Sequence, residues 1–133
     1  MKRYTIVFDG GSRGNPGPAY GSYHIRPWTS AAGVTERLEF GRGTNNEAEY
    51  LSLIAGLRAL RAFLTGSGEQ AAQTDLEIRG DSQLVIRQVS GQWKAKDARM
   101  KRLRDETQGL LEDFHQVKFK EQSRQVTVKL LGH

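Results

Sequence analysis

Four acidic residues stand where their side chains could act together on a metal ion. Asp9 follows an N-terminal run rich in β-branched and aromatic residues, which is typical of a strand, and precedes a glycine-rich stretch. Asp81 follows a later strand pattern, and Glu47 and Glu49 lie in the first turn of the helix predicted between them. If the two strands are adjacent and parallel, these carboxylates meet at one edge of the sheet.

Carboxylates held so closely repel one another unless a cation lies between them. Oxygen ligands favour Mg²⁺ or Mn²⁺ over zinc or copper, and metal-assisted phosphoryl transfer is the chemistry that such clusters serve. A plainer interpretation stays open for each acid alone. Asp9 would then belong to an ordinary hairpin turn, and Glu49 and Asp81 would only stand at helix starts, where acidic residues are common.

The rest of the pattern predicts the elements that position these residues. Five strands are expected, at Lys2–Phe8, Tyr20–Trp28, Val34–Phe40, Asp75–Arg79 and Val117–Phe119. Helices are expected from Thr44 to a stop at Gly66–Gly68, over Ser82–Val89, over about Asp97–Phe114, and after Ser123 as a cap. The glycine- and proline-rich stretch from Gly10 to Pro18 is expected to be a loop. This order of elements indicates an α/β fold with helices packed on a mixed sheet.

Composition limits the class of protein. A chain of 133 residues with 37% hydrophobic and 26% charged residues is expected to form one soluble globular domain, 1–133, and a monomer. No apolar run approaches the ~20 residues of a membrane span, and the N-terminal apolar stretch is too short for a signal peptide. The absence of cysteine excludes disulfides and makes a cytoplasmic location the expectation. The net charge of +5 and the basic segment Lys94–Arg104 fit either a polyanionic partner or a solvated helix face.

Three motifs in combination resemble the type 1 ribonuclease H family. They are FDGGSRGNPGPAYGSY at Phe8–Tyr23, GTNNEAEY at Gly43–Tyr50 and RGDSQLVIRQVSGQWKAK at Arg79–Lys96. The resemblance implies a ribonuclease H-like five-stranded mixed sheet, with the first three strands antiparallel and helices on both faces. It also implies an endonuclease that cleaves the RNA strand of RNA–DNA hybrids with two Mg²⁺ ions, Mn²⁺ being the alternative metal. The link from Val89 to Asp97 is short, so the long basic insertion of some family members is missing.

By this resemblance the catalytic residues and metal ligands are Asp9, Glu49 and Asp81, with Glu47 the less favoured choice of glutamate. Asp9 would bridge both metals. One metal would activate the attacking water and the other would stabilise the leaving 3′ oxygen.

The resemblance also implies which residues contact the nucleic acid. On the RNA side they are backbone and amide groups, at Gly10, Gly11, Ser12, Asn45, Asn46 and Gln83. On the DNA side they are an aromatic residue and two lysines, Trp93, Lys94 and Lys96. Amide side chains and closely approaching backbone can distinguish RNA from DNA by its 2′-hydroxyl. Two alternatives stay open: Trp93 is half-buried packing, and Asn45 or Asn46 only caps the helix.

The chain departs from the family pattern at the last motif. The family has an Asp there as a fourth metal ligand, and Thr127 occupies that position here, with Ser123 in place of an Asn. Either Glu121 or His133 replaces the carboxylate, or water fills the position and catalysis is slower. The third possibility is a catalytically impaired domain that binds RNA–DNA hybrids or double-stranded RNA. A wholly different hypothesis is an α/β domain with acidic helix caps and no nucleic-acid role.

Overall fold

A five-stranded sheet with the strand order β3-β2-β1-β4-β5 forms the centre of the structure, a computed structural model that describes residues 1–132. The strands are β1 (Lys2–Ser12), β2 (Gly17–Pro27), β3 (Val34–Gly43), β4 (Thr74–Gly80) and β5 (Gln116–Glu121). The first three strands are antiparallel, and β4 runs parallel to both β1 and β5. The prediction of a mixed α/β sheet is confirmed.

Four helices complete the fold: α1 (Asn45–Gly66), α2 (Gln83–Val89), α3 (Ala98–Leu111) and α4 (Arg124–Leu131). Helix α1 begins where the sequence predicts because Thr44 and Glu47 form a reciprocal capping box. The Thr44 hydroxyl accepts a hydrogen bond from the Glu47 N–H at 3.2 Å, and the Glu47 carboxylate accepts one from the Thr44 N–H at 3.0 Å. A short 3-10 turn, Ala71–Gln73, occupies part of the predicted polar link before β4.

The hydrophobic core lies between one face of the sheet and helices α1, α2 and α3. The predicted apolar face of α1 is buried there, with Tyr50, Leu53 and Leu57 fully inaccessible to solvent. Helix α4 lies on the other face of the sheet. Arg37 in β3 is on the face opposite the core residue Phe8, and it donates a hydrogen bond to the carbonyl of Gly132, directly after α4, at 3.3 Å. No helix of the described residues is long and apolar enough to cross a membrane.

The hairpin of β1 and β2 is longer than predicted, since residues expected in a loop continue the ladder. Gly10 pairs with Gly21, and β1 ends only at Ser12. A Cβ atom on Gly10 would lie 2.4 Å from the carbonyl carbon and oxygen of Ala48 in α1. These glycines therefore let the hairpin pack directly against α1, and this tertiary contact overrides their turn-forming tendency. Asp9 lies inside β1 and not at its end.

Helix α3 is shorter than predicted. Helix α4 begins as predicted, but the residues that it buries differ from those that its apolar pattern indicates. Asp97 caps α3, accepting from the N–H groups of Arg99 at 2.7 Å and Met100 at 3.2 Å. In α4, Ser123 caps the first turn as predicted, accepting from the Val126 N–H at 3.3 Å. The buried residues of α4 are Thr127 and Leu131, whereas Val126 and Leu130 are exposed.

Candidate active site

The carboxylates of Asp9, Glu49 and Asp81 converge at one place in the structure. Each offers one oxygen, and the three oxygens all lie within 4.8 Å of one another. Strands β1 and β4 are adjacent and parallel, with Phe8 opposite Gly80, so the next residues, Asp9 and Asp81, come level with each other. The sheet topology therefore places two of the acids, as the sequence led us to expect.

Helix α1 supplies the third acid through its close contact with β1. A Cβ atom on Gly10 would lie 2.6 Å from the Glu49 backbone nitrogen, so only glycine lets the first turn of α1 approach this closely. Glu47 is directed elsewhere. It closes the capping box and pairs with Arg99 at 3.1 Å. The structure thus brings Glu49, and not Glu47, to the two aspartates.

Burial and mutual repulsion favour protonation of two of these carboxyl groups. Removal from water, and then the negative charge of Asp81, raise the pKa of Asp9 to about 6. Burial raises the pKa of Glu49 to about 7, although a hydrogen bond from Ser82 acts in the opposite direction. Closely spaced carboxylate oxygens, two of them on groups with raised pKa values, suit a hard divalent cation. The residues present therefore fit the metal that the fold family implies.

Thr127, at the position of the missing carboxylate, is fully buried. Its hydroxyl donates to the Ser123 carbonyl at 3.3 Å and accepts from the Gln122 side-chain amide at 3.0 Å. Of the two candidate replacements, only Glu121 lies within residues 1–132, and it does not join the cluster. The Glu121 carboxylate binds the Arg87 guanidinium instead, at 2.8 Å from Nε, and His133 lies outside the described residues.

Arg124 is the one charged neighbour of the cluster that sequence reasoning missed among the described residues. Its Nη1 lies 3.4 Å from Oδ2 of Asp81, and its positive charge lowers the pKa of both Asp9 and Glu49. The sequence did carry a signal. Arg124 follows the cap Ser123, and a cation at a helix N-terminus is unfavourable unless an acidic partner lies nearby.

The residues expected on the RNA side border the cluster along the hairpin and the start of α1. The Ser12 N–H donates to the Asn45 side-chain oxygen at 2.8 Å, and the Ser12 hydroxyl donates to the Gly43 carbonyl at 2.9 Å. The side chains of Asn45 and Asn46 are exposed, so both are accessible to a ligand. Gly10 packs against α1, and Gly11 packs against the Tyr20 ring, where a Cβ would lie 2.7 Å from the phenolic oxygen.

Gln83 and the connector between α2 and α3 carry the remaining residues that the sequence predicted to contact nucleic acid. Gln83 is exposed at the start of α2 and hydrogen-bonds Glu121. Trp93 is 40% exposed, with the Arg87 guanidinium 5.1 Å from its ring centre, so it is neither fully buried nor isolated. Lys94 and Lys96 are exposed on either side of the buried Ala95.

A buried polar pair that the sequence did not reveal holds this connector in place. The Tyr50 hydroxyl donates to the Gln88 side-chain oxygen at 2.6 Å, and the Gln88 amide donates to the Lys94 carbonyl at 3.5 Å. Both side chains are buried. A mid-helix Tyr and Gln separated by 38 positions carry no sequence signal that they meet.

Comparisons with known proteins agree with this geometry. Residues 25–128 match a family model described as reverse transcriptase-like. The chain is 40% identical over 112 residues to ribonuclease HI of Halobacterium salinarum, which covers 84% of this chain and 52% of that protein. The chain therefore spans about half the length of this curated relative.

Solved structures extend the likeness to three dimensions. The crystal structure of RNase H1 from Halobacterium salinarum superposes with a TM-score of 0.82 at 36% identity, covering 97% of this chain and 93% of that chain. LC11-RNase H1, solved in complex with an RNA/DNA hybrid, gives a TM-score of 0.84 at 29% identity, with 95% and 89% covered. Since the family model matches most of the chain and a ribonuclease H structure above 30% identity is covered almost completely, this chain belongs to the type 1 ribonuclease H family.

Proposed function

We propose that this protein, as a single domain over residues 1–133, is a divalent-metal-dependent endoribonuclease that hydrolyses the RNA strand of RNA–DNA hybrids. The observation that carries the proposal is the meeting of the Asp9, Glu49 and Asp81 oxygens within 4.8 Å on this fold. The complex of the related LC11-RNase H1 with an RNA/DNA hybrid supports the choice of substrate.

Asp9, Glu49 and Asp81 would hold Mg²⁺, or Mn²⁺ in its place. A divalent ion bound there supplies Lewis acidity toward a phosphate oxygen and lowers the pKa of a bound water. The protein holds these carboxylate ligands in fixed positions. Asp9 is 3% exposed within β1, and a hydrogen bond from Ser82 orients Glu49. Because water is the nucleophile, these side chains act as ligands and none needs to attack the phosphate.

The substrate would lie across the surface that borders the cluster. Asn45 and Asn46, exposed at the start of α1, are placed to contact the ribose 2′-hydroxyls of the RNA strand. Trp93, Lys94 and Lys96 would contact the sugar and phosphate groups of the DNA strand. We further propose that the protein is cytoplasmic, in line with its lack of cysteine, and that it acts as a monomer. Light scattering on the purified chain would test the monomer.

The first test is cleavage of an end-labelled RNA–DNA hybrid in Mg²⁺ and then in Mn²⁺. We expect the RNA strand to be cut only with metal, and Asp9→Asn and Glu49→Gln to abolish cutting. Glu47→Gln is the matched control, since it lies in the same turn of α1 and glutamine preserves the capping box. If Glu49→Gln cuts as fast as Glu47→Gln, the proposed site is wrong.

Thr127 favours a second candidate, a domain that binds hybrids or double-stranded RNA without cleaving them. A hydroxyl already bonded to Ser123 and Gln122 does not replace a carboxylate ligand. Tight binding of the hybrid without cutting in either metal would select this candidate. The same assay with a double-stranded RNA competitor would identify which duplex it prefers.

A further inference from the structure

Arg124 stands out because its charge meets the acidic cluster directly. Its Nη1 lies 3.4 Å from Oδ2 of Asp81. The Asp81 side chain is 12% exposed, whereas the Arg124 side chain is 68% exposed. The carboxylate partner is therefore held by the fold, and most of the guanidinium faces the solvent from which a substrate would arrive.

The backbone that carries Arg124 is fixed at both ends of α4. Just before it, the Gln122 N–H donates to the Gly80 carbonyl at 2.9 Å, which ties the start of α4 to the end of β4. At the far end, the Gly132 carbonyl accepts a hydrogen bond from Arg37. The position of Arg124 beside Asp81 thus follows from the docking of α4 onto the sheet, and not from a chance contact between two surface side chains.

The guanidinium of Arg124 changes the net charge of the acidic cluster. Three ionised carboxylates and one guanidinium carry a net charge of minus two, which a single divalent cation would neutralise. The family pattern has a fourth carboxylate, and this chain has the neutral Thr127 there and a cation three residues earlier. The site is consequently less negative than the pattern implies, on the side where α4 begins.

We propose that Arg124 is a substrate-binding residue of this site. In the free protein Arg124 pairs with Asp81 and competes there with the divalent ion. Once the ion is in place, Arg124 binds a phosphate of the RNA strand. The inference rests on the proposed function. A bound ion at Asp81 removes the attraction that holds Arg124, and a guanidinium is well suited to a phosphate because its parallel N–H groups match two phosphate oxygens.

The first experiment is Mn²⁺ binding to the free protein, followed by the electron paramagnetic resonance signal of unbound Mn²⁺. We expect Arg124→Gln to bind Mn²⁺ about two- to fivefold more tightly than the wild type, the size expected from losing one exposed competing ion pair. Arg58→Gln is the matched control, because Arg58 is equally exposed and pairs with Glu106 outside the cluster. Equal Mn²⁺ affinity in Arg124→Gln and wild type would overturn the competition.

The second experiment measures hybrid binding in Mn²⁺ by fluorescence anisotropy, in a Glu49→Gln background that blocks cutting but leaves Asp81 intact. We expect the added Arg124→Gln change to weaken binding several-fold and to reduce the slope of log affinity against log salt by about one. Arg124→Lys should restore part of the affinity, since it keeps the charge but not the paired N–H geometry. Unchanged affinity and slope would overturn the phosphate contact.

The Mn²⁺ affinities of Asp9→Asn and Arg124→Gln distinguish a wrong metal site from a wrong role for Arg124. If Asp9→Asn binds Mn²⁺ as well as the wild type does, the metal is not at this cluster, and both the proposed function and the role of Arg124 are wrong. If Asp9→Asn loses Mn²⁺ and the wild type cuts the hybrid, but Arg124→Gln changes neither affinity, only the role of Arg124 is wrong.

Discussion

The Asp9 and Glu49 carboxyl groups are ionised at a cost to the stability of the folded protein. Burial lifts their pKa values from ordinary values of 3.8 and 4.5 to about 6 and about 7. Between about pH 4 and pH 7 the folded state therefore binds more protons than the unfolded state. Under this condition the free energy of unfolding falls as the pH rises through that window. The same arrangement that attracts a cation thus destabilises the metal-free protein at neutral pH.

Replacing Asp9 by Asn should stabilise the metal-free protein at pH 8, because the variant has no charge to desolvate there. A pKa shift of this size corresponds to about 1–3 kcal/mol, and the gain should disappear at about pH 3, below the ordinary pKa of 3.8, where Asp9 is mostly protonated in both states. Urea unfolding in EDTA at both pH values measures it. Asp113→Asn, at an exposed acid paired with Arg61, serves as the control. A less stable Asp9→Asn at pH 8 would contradict the prediction.

Thr127→Asp tests whether a carboxylate at the family position can be restored. In the metal-free protein we expect a loss of about 1–3 kcal/mol, since a buried charge replaces a satisfied hydroxyl. With metal we expect tighter Mg²⁺ binding and faster cleavage at low Mg²⁺. Thr127→Asn has the same size without the charge and should gain neither. If a folded Thr127→Asp variant binds Mg²⁺ no better than Thr127→Asn, the position no longer faces the site.

At the scale of elements, the site depends on how closely α1 packs against the β1–β2 hairpin. Gly10 faces the Ala48 carbonyl, and Gly21 faces Ser52, whose Oγ would lie 1.8 Å from a Cβ at that position. Two glycines paired across the hairpin thus bring the first turn of α1 against the strand that carries Asp9. The geometry of the acids is set by backbone contacts that contain no carboxylate atom.

Gly10→Ala should consequently slow cleavage by more than the loss of folded protein explains. A Cβ 2.4 Å from backbone atoms forces α1 away from β1 and moves Glu49 with it. We expect a loss of stability of about 1–3 kcal/mol and a roughly 10- to 100-fold drop in cleavage rate. Gly109→Ala in α3, where a Cβ would meet nothing within 4 Å, is the control and should be neutral or stabilising. Cleavage at the wild-type rate in Gly10→Ala would contradict this account.

Sequence patterns predicted the elements whose signals are local and missed features made by packing. The cap at Thr44 and the apolar spacing along α1 are local, so its start and buried face were predicted correctly. The extension of β1 through Gly10 depends on Ala48, which lies 38 positions away, and composition alone indicated a loop. Likewise, the three acids could be named from motifs, but the contact of Arg124 with Asp81 exists only because α4 docks on β1 and β2 and so brings Arg124 to the residue that follows β4.

At the scale of the whole molecule, the strands and helices that meet at the cluster come from distant parts of the chain. Asp9 comes from β1, Glu49 from α1, Asp81 from the end of β4 and Arg124 from α4. A ligand that binds all of these groups binds only the folded state. Its binding free energy is therefore added to the free energy of unfolding.

Mg²⁺ should accordingly stabilise the entire fold, and more strongly at higher pH. At about 100 times its dissociation constant the ion would add about 2.7 kcal/mol. The effect should grow between pH 5 and pH 8, because the ion must displace protons from Asp9 and Glu49, whose pKa values lie at about 6 and about 7. Thermal unfolding with and without Mg²⁺ across this range measures it, with Asp9→Asn as the variant that should lose most of the gain. A pH-independent rise that persists in Asp9→Asn would mean that the ion stabilises the protein elsewhere, and the cluster would then be no metal site.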